Sequence, residues 1–148
     1  MELDESTSQV FLGGLYDEAM NLLTEVRDYM ADRHSTGYDR NLGPADRLQC
    51  RSEFLRLTYR LTHVMAWLLV QKAVHAGEMS QIDAVGRSGR LNGQPESSEE
   101  RFPSGAVLSP ALRRLLKRSN GLYARVARLD EVAASCRHMP GPKNETRR

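Results

Sequence analysis

The chain has little with which to cross a membrane, cross-link itself or build a sheet. Its longest unbroken apolar run is Val64 to Val70, seven residues, where a membrane-spanning helix needs about 18–20, so no membrane insertion is expected. The N-terminal MELDESTSQ is acidic, whereas a secretory leader opens basic and continues apolar; a cytoplasmic protein is expected. Two cysteines, Cys50 and Cys136, lie far apart and outside any C-x-x-C spacing, which supports neither a disulfide framework nor a zinc site. Sustained strand alternation and hairpin-type turns are missing as well. The class is therefore all-α, and 148 residues suit one domain with one core.

Three segments carry helical periodicity. In the first, about 8–33, Leu12, Tyr16, Ala19, Leu23, Val26 and Met30 step by four and three along one stripe, with Ser8 as N-cap. Gly13 and Gly14 weaken its opening turn by about 1 kcal/mol each relative to alanine. His34 to Gly43 reads as a loop. The second helix, 44–76, opens at Gly43-Pro44, because a proline at the first helical position loses no hydrogen bond, and Asp46 sits at the positive end of its dipole. Gly77 supplies the left-handed cap. Ser80 and Asp83 then resemble a capping box for one short further turn. The third helix, 109–135, starts from Ser109 as N-cap and Pro110 at its first position. Leu112, Leu115, Ser119, Leu122, Val126, Leu129 and Ala133 form its apolar stripe.

Between them, Gly86 to Val107 holds 11 Gly, Ser, Pro or Asn among 22 residues, a flexible linker longer than most connections within a domain. After Met139 no aliphatic residue remains, so 137–148 is expected to be a disordered tail on a single three-helix domain spanning 1–136. The expected architecture is an antiparallel bundle of long helices.

Chemistry is poorly represented. Gly86-Arg87-Ser88-Gly89 is not a nucleophile elbow and lacks the strand-turn-helix setting that would expose a strained serine. No G-x-G-x-x-G or Walker-type loop occurs, so no nucleotide cradle is evident. His63 and His75 are twelve residues apart, not at the i, i+4 spacing of helical metal ligands. Catalytic residues, cofactor and metal are all expected to be absent, and the protein is not read as an enzyme.

Two surface features point to interactions. Phe54, Leu57, Leu61, Val64 and Leu68 give the second helix one core stripe, but Leu55, Tyr59, Ala66, Leu69 and Ala73 follow a second, and Trp67, Val70 and Val74 a third. Two neighbouring helices cannot cover all of this, and a homodimer interface drawing on Trp67, Val70 and Val74 is the economical answer. Charge is also divided. Residues 1–33 carry eight acidic against two basic side chains, and 109–148 ten basic against three acidic. Arg114, Arg118, Arg125 and Arg128 share a face of the third helix, opposite in sign to Glu18, Glu25, Asp28 and Asp32 on the first. These rows are either complementary solvated faces of adjacent helices or, with Arg137, Lys143, Arg147 and Arg148 of the tail, a docking surface for an acidic protein. A nucleic-acid-binding or transcription-associated protein is the alternative class. The long linker argues against it, since a helix-turn-helix joins its helices by about three or four residues.

The wording of the helices carries more. S-x-x-LRLT-x-RL at Ser52–Leu61, A-W-L-L-V-Q-K/R-A-V at Ala66–Val74, GEM-S/T at Gly77–Ser80, LSPALRRLL-x-R-S at Leu108–Ser119 and LYARV-x-RLD at Leu122–Asp130 together resemble the alphaproteobacterial regulator of CtrA degradation family, RcdA. That resemblance implies a dimer of three-helix subunits acting as a non-enzymatic adaptor in the cell cycle. Such an adaptor delivers CtrA-type cargo to the ClpXP protease, together with a CpdR-type response regulator and a PopA-type effector. It implies a cytoplasmic, polar location too. The linker and the acidic N-terminus fall outside the resembling blocks.

Overall fold

A computed structural model describes residues 5–86, 91 and 108–136. Every regular element among the described residues is helical: α1 (Glu5–Thr36), a 3-10 turn (Tyr38–Asn41), α2 (Pro44–His75), α3 (Gln81–Gly86) and α4 (Pro110–Cys136). None is long and apolar enough to cross a membrane. The linker and tail expectations lie outside the described residues, except at Gly86 and Leu91.

Local signals set most of the element ends. Gly43 is extended before Pro44, which occupies the first position of α2. Gly77 has a φ of 72°, a left-handed conformation that glycine adopts without steric penalty. Ser80 Oγ accepts from the Asp83 N–H at 3.1 Å and donates to Asp83 Oδ2 at 2.6 Å, opening α3. Ser109 Oγ accepts from the Leu112 N–H at 3.2 Å, the cap of α4. The N-terminus of α1 differs from the sequence reading: the helix is already formed at Glu5, so Ser8 lies inside it. Its other end also runs beyond the expected residue 33, to Thr36, where Gly37 at a φ of 63° breaks it and a 3-10 turn fills the expected loop.

Leu12, Leu15, Ala19, Leu22 and Val26 of α1, Leu57, Leu61, Val64 and Leu68 of α2, and Leu112, Leu115, Leu122 and Val126 of α4 form one core. On α1 the buried face is turned from the expected stripe: Leu15 and Leu22 are buried, Tyr16 and Leu23 half-buried and Met30 exposed. The cause is that α1 packs on α2 and α4 at once, so its innermost line points between them.

The directions of the helices correct the antiparallel expectation. Lys72 lies over Tyr16 and Arg33 lies near Cys50, so α1 and α2 run oppositely. Arg118 meets Glu25 and Arg125 meets Glu18, so α1 and α4 run oppositely too. Arg60, however, meets Ser119 and Trp67 meets Asp130; numbers rise together, and α2 and α4 are parallel. The long connection follows from this. Ser119 stands level with Arg60, so α4 opens level with Arg51, and His75 lies 24 residues further along α2. The chain must come back about 36 Å at 1.5 Å per residue before α4 begins.

Candidate functional site

On the face between α1 and α4 the two charge rows meet. Arg118 Nη1 donates to Glu25 Oε2 and Arg125 Nη2 to Glu18 Oε1, each at 2.5 Å. Each of these two arginines is thus ion-paired across to α1 while its side chain stays more than a third exposed. Arg114 and Arg128, on the same helix, are exposed. Arg137, Lys143, Arg147 and Arg148 lie outside the described residues.

The expected dimer residues also separate. Trp67 is 3% exposed within the single chain, and its indole N–H donates to Asp130 Oδ1 at 3.0 Å. Asp130 Oδ2 accepts from the Leu91 N–H at 3.2 Å. Trp67 is thus a core residue of its own subunit, and its assignment to an interface between copies is corrected: an indole needs a partner for its N–H when buried, and α4 supplies one. Val70 and Val74 are half-buried. The outward face of α2 instead follows the second stripe, where Leu55, Tyr59 and Leu69 are 68%, 55% and 51% exposed, and it extends back to Leu48, 70% exposed. A shallow groove of about 550 Å³ runs beside it, lined by Leu55, Arg56, Thr58, Tyr59, Thr62 and His63.

Two polar arrangements at buried arginines escaped the sequence reading. Arg60, pushed below the usual arginine pKa by burial, donates to Ser119 Oγ at 2.8 Å, and that hydroxyl donates to the Leu116 carbonyl at 2.9 Å. Arg33 is buried where α1 ends. Its Nε donates to Asp39 Oδ1 at 2.5 Å and its Nη1 to the Tyr29 hydroxyl at 3.0 Å, with Tyr38 stacked at 5.3 Å. Burial works to lower the Arg33 pKa, but the hydrogen bonds to Asp39, Cys50 and Tyr29 outweigh it and hold the guanidinium charged. Tyr29 and Ser109 hydroxyls, 2.9 Å apart, tie this corner to the start of α4. A cleft of about 370 Å³ opens beside it, between Met30, Arg33, Arg51 and Phe54. A polar residue inside an apolar period was the available signal, at Ser119 and at Arg60, but it does not name the partner.

Catalytic geometry is sparse. His63 packs its ring on Tyr59 with centroids 4.2 Å apart, and His75 Nδ1 lies 2.8 Å from the Gln71 carbonyl. No group of three or more potential metal ligands occurs among the described residues.

The family model for a protein of unknown function, DUF1465, matches residues 3–148. The structure is also similar to the crystal structure of RcdA from Caulobacter crescentus CB15, with a TM-score of 0.62 and 33% identity, over 82% of this chain and 89% of that one. The chain belongs to the RcdA family. No curated protein matches it. The blocks that carry the RcdA wording now acquire a physical sense. Arg60 and Ser119 sit in two of them and bond to each other, and Trp67 and Asp130 sit in two more and do the same. The blocks thus hold two pairs that fasten α2 to α4, and also the exposed Leu55 and Leu69, while the exposed Leu48 lies outside them.

Proposed function

We propose that this protein is a non-enzymatic adaptor that brings protein substrates to a protease of the ClpXP type. Membership of the RcdA family is the observation that carries the reading. In this reading it acts beside a CpdR-type response regulator and a PopA-type effector on CtrA-type cargo, at a cell pole. The unfolding energy comes from the protease's own ATPase, and the adaptor contributes effective concentration, holding cargo where capture is an intramolecular event. A fold whose described surface offers apolar grooves and cations supports a binding role. Dimerisation belongs to the same proposal, with Val70 and Val74 as the interface residues that remain once Trp67 is placed in the core.

The tail is the second contact in this proposal. Arg137, Lys143, Arg147 and Arg148 against Glu145 give it a net charge of three, a basic tether that speeds encounter with an acidic partner; Arg114 and Arg128 extend that charge onto α4. The test is a reconstituted ClpXP degradation assay with CtrA-type cargo, comparing the full chain with one ending at Cys136. The full chain should accelerate degradation and the shortened one should not, with unchanged melting temperature. Light scattering should give twice the chain mass. No acceleration by the full chain, with cargo and response regulator present, would refute the adaptor reading.

A further inference from the structure

The outward face of α2 has the spacing of a helix-binding seam. Leu48, Leu55, Tyr59, Thr62, Ala66 and Leu69 follow steps of seven, four, three, four and three, the repeat on which two α-helices interlock side chains. All six are exposed, and the stripe lies opposite Leu57, Val64 and Leu68, which face the core. Large side chains flank the small Thr62 and Ala66, leaving room at the centre for a partner's own side chains. The seam spans 22 residues of α2 from Leu48 to Leu69, about 32 Å end to end.

Charge selects among occupants. The charged residues of α2 that are exposed are Arg51, Arg56 and Lys72, all cations. Asp46 is half-buried at the first turn, and Glu53 is buried and ion-paired with Arg56 at 3.2 Å. A second copy of the chain laid seam against seam would set cation against cation, with no exposed carboxylate on either α2 to relieve it. Like charges across a helix pair disfavour the pairing, and opposite ones select it.

We propose that this seam docks an acidic amphipathic helix of another protein, with apolar residues in a three-four repeat and Glu or Asp on both flanks. This rests on the adaptor reading and names the kind of segment that the adaptor holds. The basic row of α4 is not needed for it; of the cations of α2, Arg56 also pairs with Glu53 and Lys72 also lies over the Tyr16 ring at 4.4 Å, which leaves Arg51 as the cation set most directly beside the seam.

The test uses the full chain and two fluorescein-labelled 28-residue helical peptides, with leucine at the seam positions and either glutamate or lysine at the flanks, read by anisotropy. The glutamate peptide should bind at least tenfold tighter than the lysine peptide, and more weakly as salt rises. Tyr59→Asp and Leu55→Asp, at exposed positions and checked for unchanged helicity, should each weaken it at least tenfold; Arg51→Glu should reduce the preference for glutamate. Equal binding of the two peptides, or full affinity in Tyr59→Asp, would overturn the proposal. So would failure of both peptides combined with a Tyr59→Asp protein that changes from dimer to monomer, which would assign the seam to a second copy. In the degradation assay, wild-type acceleration that Tyr59→Asp retains in full discards the seam and leaves the adaptor standing, whereas no acceleration by wild type discards the adaptor.

Discussion

The indole N–H of Trp67 and the carboxylate of Asp130, 3.0 Å apart and 63 residues apart in sequence, join α2 to α4 in the core of the subunit. Both groups are buried, so neither can turn to water if the other is removed. Asp130→Ala should destabilise the fold by about 1–3 kcal/mol, the usual cost of leaving a buried donor unmet, and Asp130→Asn, which keeps one acceptor oxygen, by less. Urea unfolding followed by circular dichroism measures both. In a Trp67→Phe background the loss from Asp130→Ala should shrink, because one of the donors it strands is already gone.

Adjacent leucines on α2 should behave in opposite ways. Leu57 and Leu61 are fully buried and Leu55 is mostly exposed. Leu57→Ala or Leu61→Ala should cost about 2–5 kcal/mol through lost burial and a residual cavity, while Leu55→Ala should stay within about 0.5 kcal/mol. Thermal or chemical unfolding of the three variants decides it.

The ion pairs between α1 and α4 bring order without much stability. Arg118 and Glu25, and Arg125 and Glu18, are all a third or more exposed, and such pairs contribute less than about 1 kcal/mol each. Glu25→Gln and Glu18→Gln should lower the melting temperature slightly, and the difference from wild type should fade at about 1 M salt, where the screening length is near 3 Å.

Tyr123 gives the fold an alkaline limit. Burial raises its pKa above the ordinary 10.0, and the Arg60 charge opposes that only in part. A group whose folded pKa is raised contributes its full stability below the unfolded pKa and loses it as pH rises toward and through the folded value. Stability should therefore fall above about pH 10, and Tyr123→Phe should flatten that fall in denaturation curves taken across the range.

Helix periods and chain punctuation were legible because they are local. Pro44, Gly77, Ser80 and Ser109 act on their own neighbours within four residues, so a single sequence shows their effect. The stripe of Leu57, Leu61, Val64 and Leu68 was legible for the same reason. What the sequence could not show was pairing at long range. Trp67 looked like surplus apolar area because its acceptor, Asp130, lies on another helix; Arg60 and Ser119 looked like unrelated polar residues for the same reason. Three stripes on α2 could be counted, but which one faces outward depends on where α1 and α4 sit around it. That placement decided against Trp67 and brought forward Leu55 and Tyr59. The two charge rows were visible from composition, and of their two meanings the structure favours complementary faces at Glu18, Glu25, Arg118 and Arg125.

The long connection that the parallel course of α2 and α4 requires favours an order of assembly. α1 and α2 are joined across a short corner and can zip together as a helical hairpin from nearby contacts, which form early because little loop entropy opposes them. Trp67 with Asp130 and Arg60 with Ser119 close only after the intervening chain has doubled back, so α4 is the late arrival. During synthesis the first two helices leave the ribosome before α4, and one side of their shared core stays uncovered until α4 follows. Whatever holds that uncovered side in the interval acts on a two-helix intermediate that the finished protein no longer shows.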